Sequence, residues 1–242
     1  MAEPIPPIAP TSTIIITGGT GSLGSTLART LTTSYPAKFH LLLTCRNTTD
    51  EHATSLSSFL SSKNASFALE KLDLSDLEAV KAFTASVTSR IENGELKGLV
   101  GGGVVNSAAY NTFFKGKKGK QGWDVMYTIN CLAPMLLMRG LFGVMREGGL
   151  FVNVGSAAHE IGRVDYFEGR DEEKENGEKV AFMEGMKRYG SCKLLAMMLG
   201  YAFQRRAFAV SIPPSLVLGE RINGYRRTQR ISCMSLTSIP AL

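Results

Sequence analysis

The chain has few residues of the types that build metal centres and disulfide frameworks. It contains four cysteines and three histidines in 242 residues. The cysteines show no Cys-x-x-Cys pairing, which disfavours a structural zinc site, and they stand at Cys45, Cys131, Cys192 and Cys233. We therefore expect free thiols in a reducing compartment, no bound metal and a cytoplasmic location.

Signals that would direct the chain to a membrane are also scarce. The first ten residues, MAEPIPPIAP, include an acid and four prolines and lack the basic and apolar regions of a signal peptide. The best membrane candidate, CLAPMLLMRGLFGVM, is only 15 residues long and contains Arg139. Because this is too short to span a bilayer, we predict a buried amphipathic helix and no membrane partner.

Basic residues are in excess only at one end of the chain. The net charge is +6, but residues 205–242 hold six arginines against the single acid Glu220. The first 204 residues therefore contain 21 basic and 20 acidic residues and are nearly neutral. No stripe of arginines interleaved with aromatic residues is present, so we expect no nucleic-acid partner.

Apolar runs suited to buried strands alternate with segments of helical spacing, and 44% hydrophobic residues can supply a sizeable core. We expect strands at 12–17, 38–47, 66–75, 99–110 and 148–158, and helices at 22–35, 50–63, 75–94, 123–146 and 182–206. Such alternation favours parallel strands joined by right-handed crossovers. The predicted fold is α/β, a Rossmann-like doubly wound parallel sheet in three αβα layers, as a single domain.

The segment TGGTGSLG, Thr17 to Gly24, follows the first expected strand and opens the first expected helix. Its four glycines would allow a tight turn and a close approach of a ligand to the backbone. The N–H groups at the start of the helix favour an anion such as pyrophosphate. Alone the signal is weak, because an ordinary strand–helix loop can also be rich in glycine.

Further motifs follow in order: LDLS at 72–75, NSAA at 106–109, Asn130, NVGSAA at 153–158 and YGSCK at 189–193. With the TGxxxGxG spacing of the glycine turn, they resemble the short-chain dehydrogenase/reductase family over roughly residues 13–206. The interval between Ser156 and Tyr189 is long, as in divergent fungal-type and retinol-dehydrogenase-like members. The resemblance implies an oxidoreductase that transfers a hydride between a nicotinamide and a ketone, aldehyde or alcohol.

Four residues form the catalytic set that this resemblance implies. Tyr189 and Lys193 are four residues apart and share a helix face, so the lysine charge is expected to lower the tyrosine pKa and make it a proton donor at neutral pH. Ser156, just past the fifth strand, would hydrogen-bond the substrate oxygen. The family pattern implies that Lys193 also grips the nicotinamide ribose and that Asn130 holds a water linking this lysine to solvent.

The resemblance also implies a set of cofactor-binding residues. Asp73 matches the acid that contacts the adenine ring, and Asn106 begins the motif that borders the cofactor. That motif is usually NNAG, so Ala109 places a methyl group where glycine normally lets the backbone approach. The full expected set is Gly18, Thr20, Ser22, Leu23, Gly24, Arg46, Asp73, Asn106, Arg139, Tyr189 and Lys193.

The end of the second strand indicates which cofactor is used. An acid there would accept from the ribose 2′-OH and repel a 2′-phosphate. The chain has LTCRN instead, with no acid before Asp50. Arg46 can pair with a phosphate, and Ser22 could assist. We therefore expect NADP(H).

Beyond residue 206 the sequence departs from the family pattern. An Arg-rich segment occupies 207–230, and ISCMSL at 231–236, which looks like the family's sixth strand, is followed by only six residues. We expect a flexible leader at 1–12, a catalytic domain at 13–206 and an atypical segment at 207–242. A retained intron or a shifted frame followed by early termination would explain this last part.

Two alternatives to the NADP-dependent oxidoreductase remain open. The chain could bind a nucleotide without redox activity, as a truncated product or a regulatory module. It could also serve a non-redox step, such as a cyclisation in secondary metabolism. The expected partners are a small carbonyl or alcohol substrate and further copies of the chain, in a homodimer or homotetramer.

Overall fold

The computed structural model describes residues 10–99, 103–112, 117–145, 149–167 and 182–211. The expected leader lies almost wholly outside these residues, as does most of the expected C-terminal segment, including 231–236. The long final helix continues to Ser211, past the boundary expected at 206.

Five parallel strands form one sheet in the order β3-β2-β1-β4-β5. Their bounds are β1 Ser12–Thr17, β2 Phe39–Cys45, β3 Ser66–Lys71, β4 Gly103–Asn106 and β5 Leu150–Asn153. In register, Thr17 lies between Thr44 of β2 and Asn106 of β4, and Asn106 lies beside Asn153 of β5. The carboxyl ends of four strands therefore meet at one edge. The strand order changes direction between β1 and β4, because β2 and β3 are added on one side of β1 and β4 and β5 on the other. Open α/β sheets bind ligands at such a switch point.

Strand β1 contributes side chains to both faces of the sheet because successive residues of a strand alternate. Ile14 and Ile16 enter an apolar cluster with α1 (Ser22–Ser34) and α2 (Glu51–Ser62). Ile15 enters the larger cluster on the opposite face, with α3 (Leu77–Glu92), α5 (Ala133–Leu141) and α6 (Phe182–Ser211). The sheet is thus covered on both sides, which confirms the predicted three-layer architecture.

The middle helical segment contains a local irregularity. It begins with the short α4 (Val125–Tyr127), passes through a π-helical turn at Thr128–Leu132 and continues as α5. Because a π turn widens the helix by one residue, it changes which side chains face a given direction, and such turns are frequent at functional sites. Asn130 lies in this turn.

The same segment is the one described helix that could cross a membrane by length and composition, over Val125–Val144. The sequence estimate of 15 residues was too short, because the helix begins before Cys131. Of its most apolar window, 72% is buried inside the protein. The prediction of a buried core helix is thus supported, with Arg139 on its exposed side.

Several boundaries differ from the expectation by a few residues. β3 ends at Lys71 and not at Ser75, because Asp73 turns the chain by accepting hydrogen bonds from the backbone N–H and the hydroxyl of Ser75. The N-cap of α3 is Asp76, which accepts from the N–H groups of Glu78 and Ala79. The helix expected from residue 75 therefore begins at Leu77, because the hydroxyl of Ser75 is engaged by Asp73.

Candidate active site

A cleft of about 830 Å³ opens at the carboxyl edge of the sheet, at the switch point between β1 and β4. The glycine turn, the ends of β2 and β3 and the loop after β4 line it. Seven residues expected to bind a cofactor lie along it: Gly18, Thr20, Ser22, Leu23, Gly24, Arg46 and Asp73. The structure therefore brings most of the expected cofactor set together in one cavity.

The glycine turn lines one side of this cleft and packs closely on the loop after β4. Gly18 has a φ of +65°, and a Cβ there would lie 3.0 Å from the Cα of Ala108. A Cβ on Gly24 would collide with the carbonyl oxygen of Gly18. Helix α1 starts with Gly21 as N-cap, no side chain caps it, and its first turn contains no acid. The first N–H groups of α1 are therefore open to an anion in the cleft.

Arg46 is the first residue after β2 and is exposed on the cleft wall. The nearest acid along the chain, Asp50, uses its carboxylate to cap α2 by accepting from the N–H of Ala53. Asp73 lies on the same cleft, after β3, in the turn described above. The guanidinium of Arg46 thus lies at the end of β2, the position expected from the sequence to contact a 2′-phosphate.

Side-chain hydrogen bonds connect the end of β4 to β1 and to β5 beside the cleft. Asn106 is buried and donates through Nδ2 to Oδ1 of Asn153 at 2.7 Å. Ser107 donates its hydroxyl to the carbonyl oxygen of Thr17 at 2.5 Å. Ala109, the departure from the family motif, is exposed on the cleft wall. The hydroxyl of Ser107 thus holds the loop after β4 against the end of β1.

Asn130 holds the loop after β4 against the middle helix. Its Nδ2 donates to the carbonyl oxygens of Tyr110 and Met126, at 2.7 and 2.8 Å, and its Oδ1 accepts from the N–H of Tyr110 at 3.2 Å. Both backbone groups of Tyr110, a residue of the cleft wall, are thereby satisfied by one amide side chain. The π turn supplies the position from which Asn130 reaches them.

Ser156 and Tyr189 meet beyond the end of β5. Ser156 caps a short 3-10 helix, Ala157–Ile161, by accepting from the N–H of Ala158 at 3.2 Å. Tyr189 is half-buried on α6, and the Ser156 side chain lies near enough for hydrogen bonding to lower the pKa of its phenol. The two hydroxyl groups expected to contact a substrate oxygen therefore lie side by side.

Lys193 lies one helical turn beyond Tyr189 and is buried. Its Nζ is 5.7 Å from the centre of the Tyr189 ring and donates to the carbonyl oxygen of Val154 at 2.8 Å. The N–H of Val154 in turn donates to the carbonyl oxygen of Asn106 at 3.2 Å. A continuous set of hydrogen bonds thus joins the lysine to the end of β4, beside the cleft.

The pKa values of this pair differ from the sequence expectation. Burial raises the pKa of Tyr189, although the Ser156 hydrogen bond opposes the rise. Burial lowers the pKa of Lys193. The expected lowering of the tyrosine pKa by the lysine charge is therefore wrong. The Nζ of Lys193 donates to Val154, and burial is the largest cause of the pKa shift of Tyr189.

The sequence of residues 12–166 matches the family model described as short chain dehydrogenase, which covers more than half of the chain. The chain belongs to the short-chain dehydrogenase family. Its sheet order, its glycine turn and the positions of Asn130, Ser156, Tyr189 and Lys193 are consistent with this membership.

This short-chain dehydrogenase is similar to retinol dehydrogenase 12 of Mus musculus, with 24% identity over 224 residues that cover 87% of the chain. The chain spans less than two thirds of the curated relatives it matches, 63% of the mouse protein and 46% of retinol dehydrogenase 12 from Bos taurus.

Solved structures of the family share the fold at low sequence identity. A metagenomic short-chain oxidoreductase in complex with NADP aligns with a TM-score of 0.58 and 19% identity, over 82% of this chain and 78% of that one. An NAD⁺-bound xylitol dehydrogenase aligns with a TM-score of 0.56 and 18% identity, over 82% and 66% of the two chains. The similarity supports the Rossmann-like architecture of this short-chain dehydrogenase.

Four expected cofactor residues do not line the cleft: Asn106 at the end of β4, Tyr189 and Lys193 on α6, and Arg139. Arg139 lies in a different part of this short-chain dehydrogenase. It is exposed on α5 and lines a separate cavity next to α3, not the cleft. Its placement at the cofactor is therefore not supported. The sequence shows that residue 139 is on the middle helix but does not show which way that helix faces after its π turn.

Two residues inside the YGSCK motif were missed as contributors to the site. A Cβ on Gly190 would collide with the carbonyl oxygen of Ala158, so glycine allows the 3-10 turn to pack directly on α6. Ser191 is buried and accepts from the N–H of Arg163 at 2.9 Å while donating to the carbonyl oxygen of Lys187. These contacts hold the turn that carries Ser156 next to Tyr189. The signal in the sequence was their position between Tyr189 and Lys193.

Proposed function

We propose that this short-chain dehydrogenase interconverts a ketone or aldehyde and an alcohol with NADP(H) as the hydride carrier. The observation that carries the proposal is the meeting of the Ser156 and Tyr189 hydroxyls, with Lys193 beside them. This group lies at the same edge of the sheet as a cleft with a glycine floor and an uncapped helix start.

The residues of the cleft fit a dinucleotide. Glycine at 18 and 24 lets the turn pack closely on the loop after β4 and on itself, and the absence of a capping side chain or first-turn acid on α1 leaves a site for a pyrophosphate. We infer that Arg46 holds a 2′-phosphate through its planar guanidinium, which favours NADP(H) over NAD(H). The complex of a similar oxidoreductase with NADP supports this inference, while the NAD⁺-bound neighbour shows that the fold alone does not decide it.

The chain's own residues supply the proton chemistry. When bound, the nicotinamide donates or accepts the hydride. With its pKa raised, Tyr189 is a neutral phenol at pH 7 and can donate its proton to a carbonyl oxygen. Ser156 can donate to the same oxygen and stabilise the developing charge. Lys193, buried beside Tyr189, would hold the nicotinamide ribose, and Asn130 fixes the neighbouring loop.

A second candidate function is nucleotide binding without turnover. It is favoured by the hydrogen bond of Lys193 to Val154, because the lysine held there does not lower the pKa of Tyr189. The same cleft would serve this function. The two candidates differ only in whether a carbonyl compound is reduced.

We extend the proposal to the molecules with which the protein interacts. We infer a small carbonyl or alcohol substrate, and a homodimer or homotetramer as the family implies. A cytoplasmic location and a role in secondary metabolism remain predictions from the sequence.

Cofactor choice is tested by fluorescence titration of NADPH and NADH. We expect Arg46→Gln to weaken NADPH binding about tenfold or more, since it removes charge-assisted hydrogen bonds, and to leave NADH binding nearly unchanged. Arg29→Gln is the matched control, because it removes the same charge from a residue that instead contacts Ser55 and the ring of Phe59. Equal effects of Arg46→Gln on both nucleotides would contradict the assignment.

Turnover is tested by NADPH oxidation with a panel of ketones and aldehydes. We expect activity with at least one of them and none for Tyr189→Phe, which still binds NADPH because the change leaves the glycine turn intact. Binding of NADPH without oxidation by any panel member would support the second candidate. Activity retained in Tyr189→Phe would contradict the role of the phenol.

A further inference from the structure

A second cavity, of about 340 Å³, lies between α3 and α5. None of its described lining residues also lines the cleft. Its size is within the range of small-ligand pockets. Helices α3 and α5 come close beside it, since a Cβ on Gly140 would lie 2.5 Å from Oγ1 of Thr84. The cavity is thus a feature of its own in the fold.

The walls of the cavity are apolar and include an aromatic ring. Leu77 of α3 and Leu136 of α5 are buried there, and Trp123, just before α4, lies on the wall with 43% of its surface exposed. Exposed indole surface inside a concave apolar site favours a flat hydrophobic group as a partner. These residues indicate that the cavity suits the apolar part of a ligand.

The polar groups around the cavity differ in whether they already have partners. Lys81 forms an ion pair with Glu78 at 2.9 Å. Gln121 accepts from the N–H of Leu77 and donates to Asp76. Arg139 is the lining cation that has no ion pair or hydrogen bond within the described part of the chain. Its guanidinium remains available for an anion.

We propose that this cavity binds a small aromatic monocarboxylate, with its ring against Trp123, Leu77 and Leu136 and its carboxylate on Arg139. A guanidinium can bind a carboxylate through two parallel N–H···O hydrogen bonds. Because Lys81 is paired with Glu78, Arg139 supplies the one uncompensated charge of the described lining, which matches a ligand with a single negative charge. The site is independent of the nucleotide cleft and of the proposed reaction.

The chain provides its own probe for this site. Trp123 is the one tryptophan of the 242 residues, so tryptophan emission reports the cavity directly. The experiment titrates the full chain with phenylacetate and, separately, with the neutral phenylacetamide. We expect a saturable change in emission with phenylacetate and binding about tenfold weaker for the amide, since the amide lacks the charge-assisted bonds.

Two variants test whether Arg139 is the anion-binding group. Arg139→Gln is expected to remove the preference for phenylacetate over phenylacetamide. The double variant Lys81→Gln/Glu78→Gln removes the ion pair at the same rim without changing the net charge, and it is expected to keep the preference. Saturating NADP⁺ should not displace phenylacetate. Equal losses in the two variants, displacement by NADP⁺ or no saturable change in emission would each overturn the proposal.

Discussion

At the scale of single residues, the chemistry of the site depends on how Ser156 and Tyr189 act on each other. Burial disfavours the tyrosinate and raises the pKa of Tyr189, while the Ser156 hydrogen bond lowers it. The phenol therefore stays protonated at neutral pH, which is the state required to reduce a carbonyl. The reverse reaction, in which tyrosinate must accept a proton, is expected to become faster as the pH rises.

We predict that Tyr189 ionises above the ordinary tyrosine pKa of 10 in the ligand-free protein. Ultraviolet difference titration of the wild type against Tyr189→Phe isolates its phenolate signal. Ser156→Ala should move the ionisation to still higher pH, because it removes the one bond that favours the charged form. A Tyr189 pKa below 10, or a downward shift in Ser156→Ala, would contradict the balance of burial and hydrogen bonding.

The roles proposed for these residues could be predicted from the sequence because they depend on residue type and spacing. A tyrosine and a lysine four residues apart share a helix face wherever that helix lies. The pKa direction depends on burial and on the carbonyl of Val154, which is 39 residues before Lys193. The position of Arg139 depends on how the middle helix is rotated. Neither property can be derived from local spacing.

At the scale of elements, the contact between the 3-10 turn and α6 determines the position of Ser156. We predict that Gly190→Ala forces the turn away, because the added methyl group would overlap the carbonyl oxygen of Ala158. The expected cost is about 1–3 kcal/mol of unfolding free energy, as for other overpacked sites. Carbonyl reduction should be lost while NADPH binding persists.

Gly143→Ala is the control for this variant, since a Cβ there would meet nothing within 4 Å. Urea unfolding and NADPH titration of both variants give the comparison. The account of the turn would be contradicted if Gly190→Ala were as stable and as active as Gly143→Ala.

A buried ion pair joins α6 to the start of the middle helix. Arg188, next to Tyr189, pairs with Asp124, which also caps α4 by accepting from the N–H of Tyr127 at 2.9 Å. We predict that Arg188→Met lowers the free energy of unfolding by about 3–5 kcal/mol, because it leaves a buried carboxylate without its partner. Adding Asp124→Asn should recover part of this loss, since asparagine removes the charge and can still cap the helix.

Urea unfolding of the wild type, Arg188→Met and the double variant measures this coupling. If the double variant is no more stable than Arg188→Met, the cost does not come from an unpaired charge. The pair was not predictable from the sequence, because its members are 64 residues apart and each resembles an ordinary surface charge.

Element positions were easier to predict than element ends. The bounds of β1 were predicted correctly because a β-branched run is enclosed by polar and glycine-rich residues. The carboxyl end of β3 and the start of α3 were misplaced because Asp73 turns the chain by accepting from Ser75, and Asp76 then caps the helix by accepting from Glu78. The π turn around Asn130 was not foreseen, since it follows from tertiary packing and has no local sequence signal.

At the scale of the whole molecule, the alternation of strand and helix patterns was sufficient to predict a doubly wound sheet. The parallel order then places the ligand cleft at the switch point, with the glycine turn inside it. The second cavity follows from how α3 packs on α5. It could not be predicted because its walls come from three separate segments of the chain.

The central claim is that a hydride reaches a carbonyl carbon at the site of Ser156, Tyr189 and Lys193. The most direct measurement uses NADPH labelled with deuterium at C4 of the nicotinamide, a carbonyl compound and mass spectrometry of the product. The account predicts an alcohol with deuterium on its carbinol carbon, and none from Tyr189→Phe. Binding of labelled NADPH by the wild type with no deuterated alcohol from any carbonyl compound tested would contradict it.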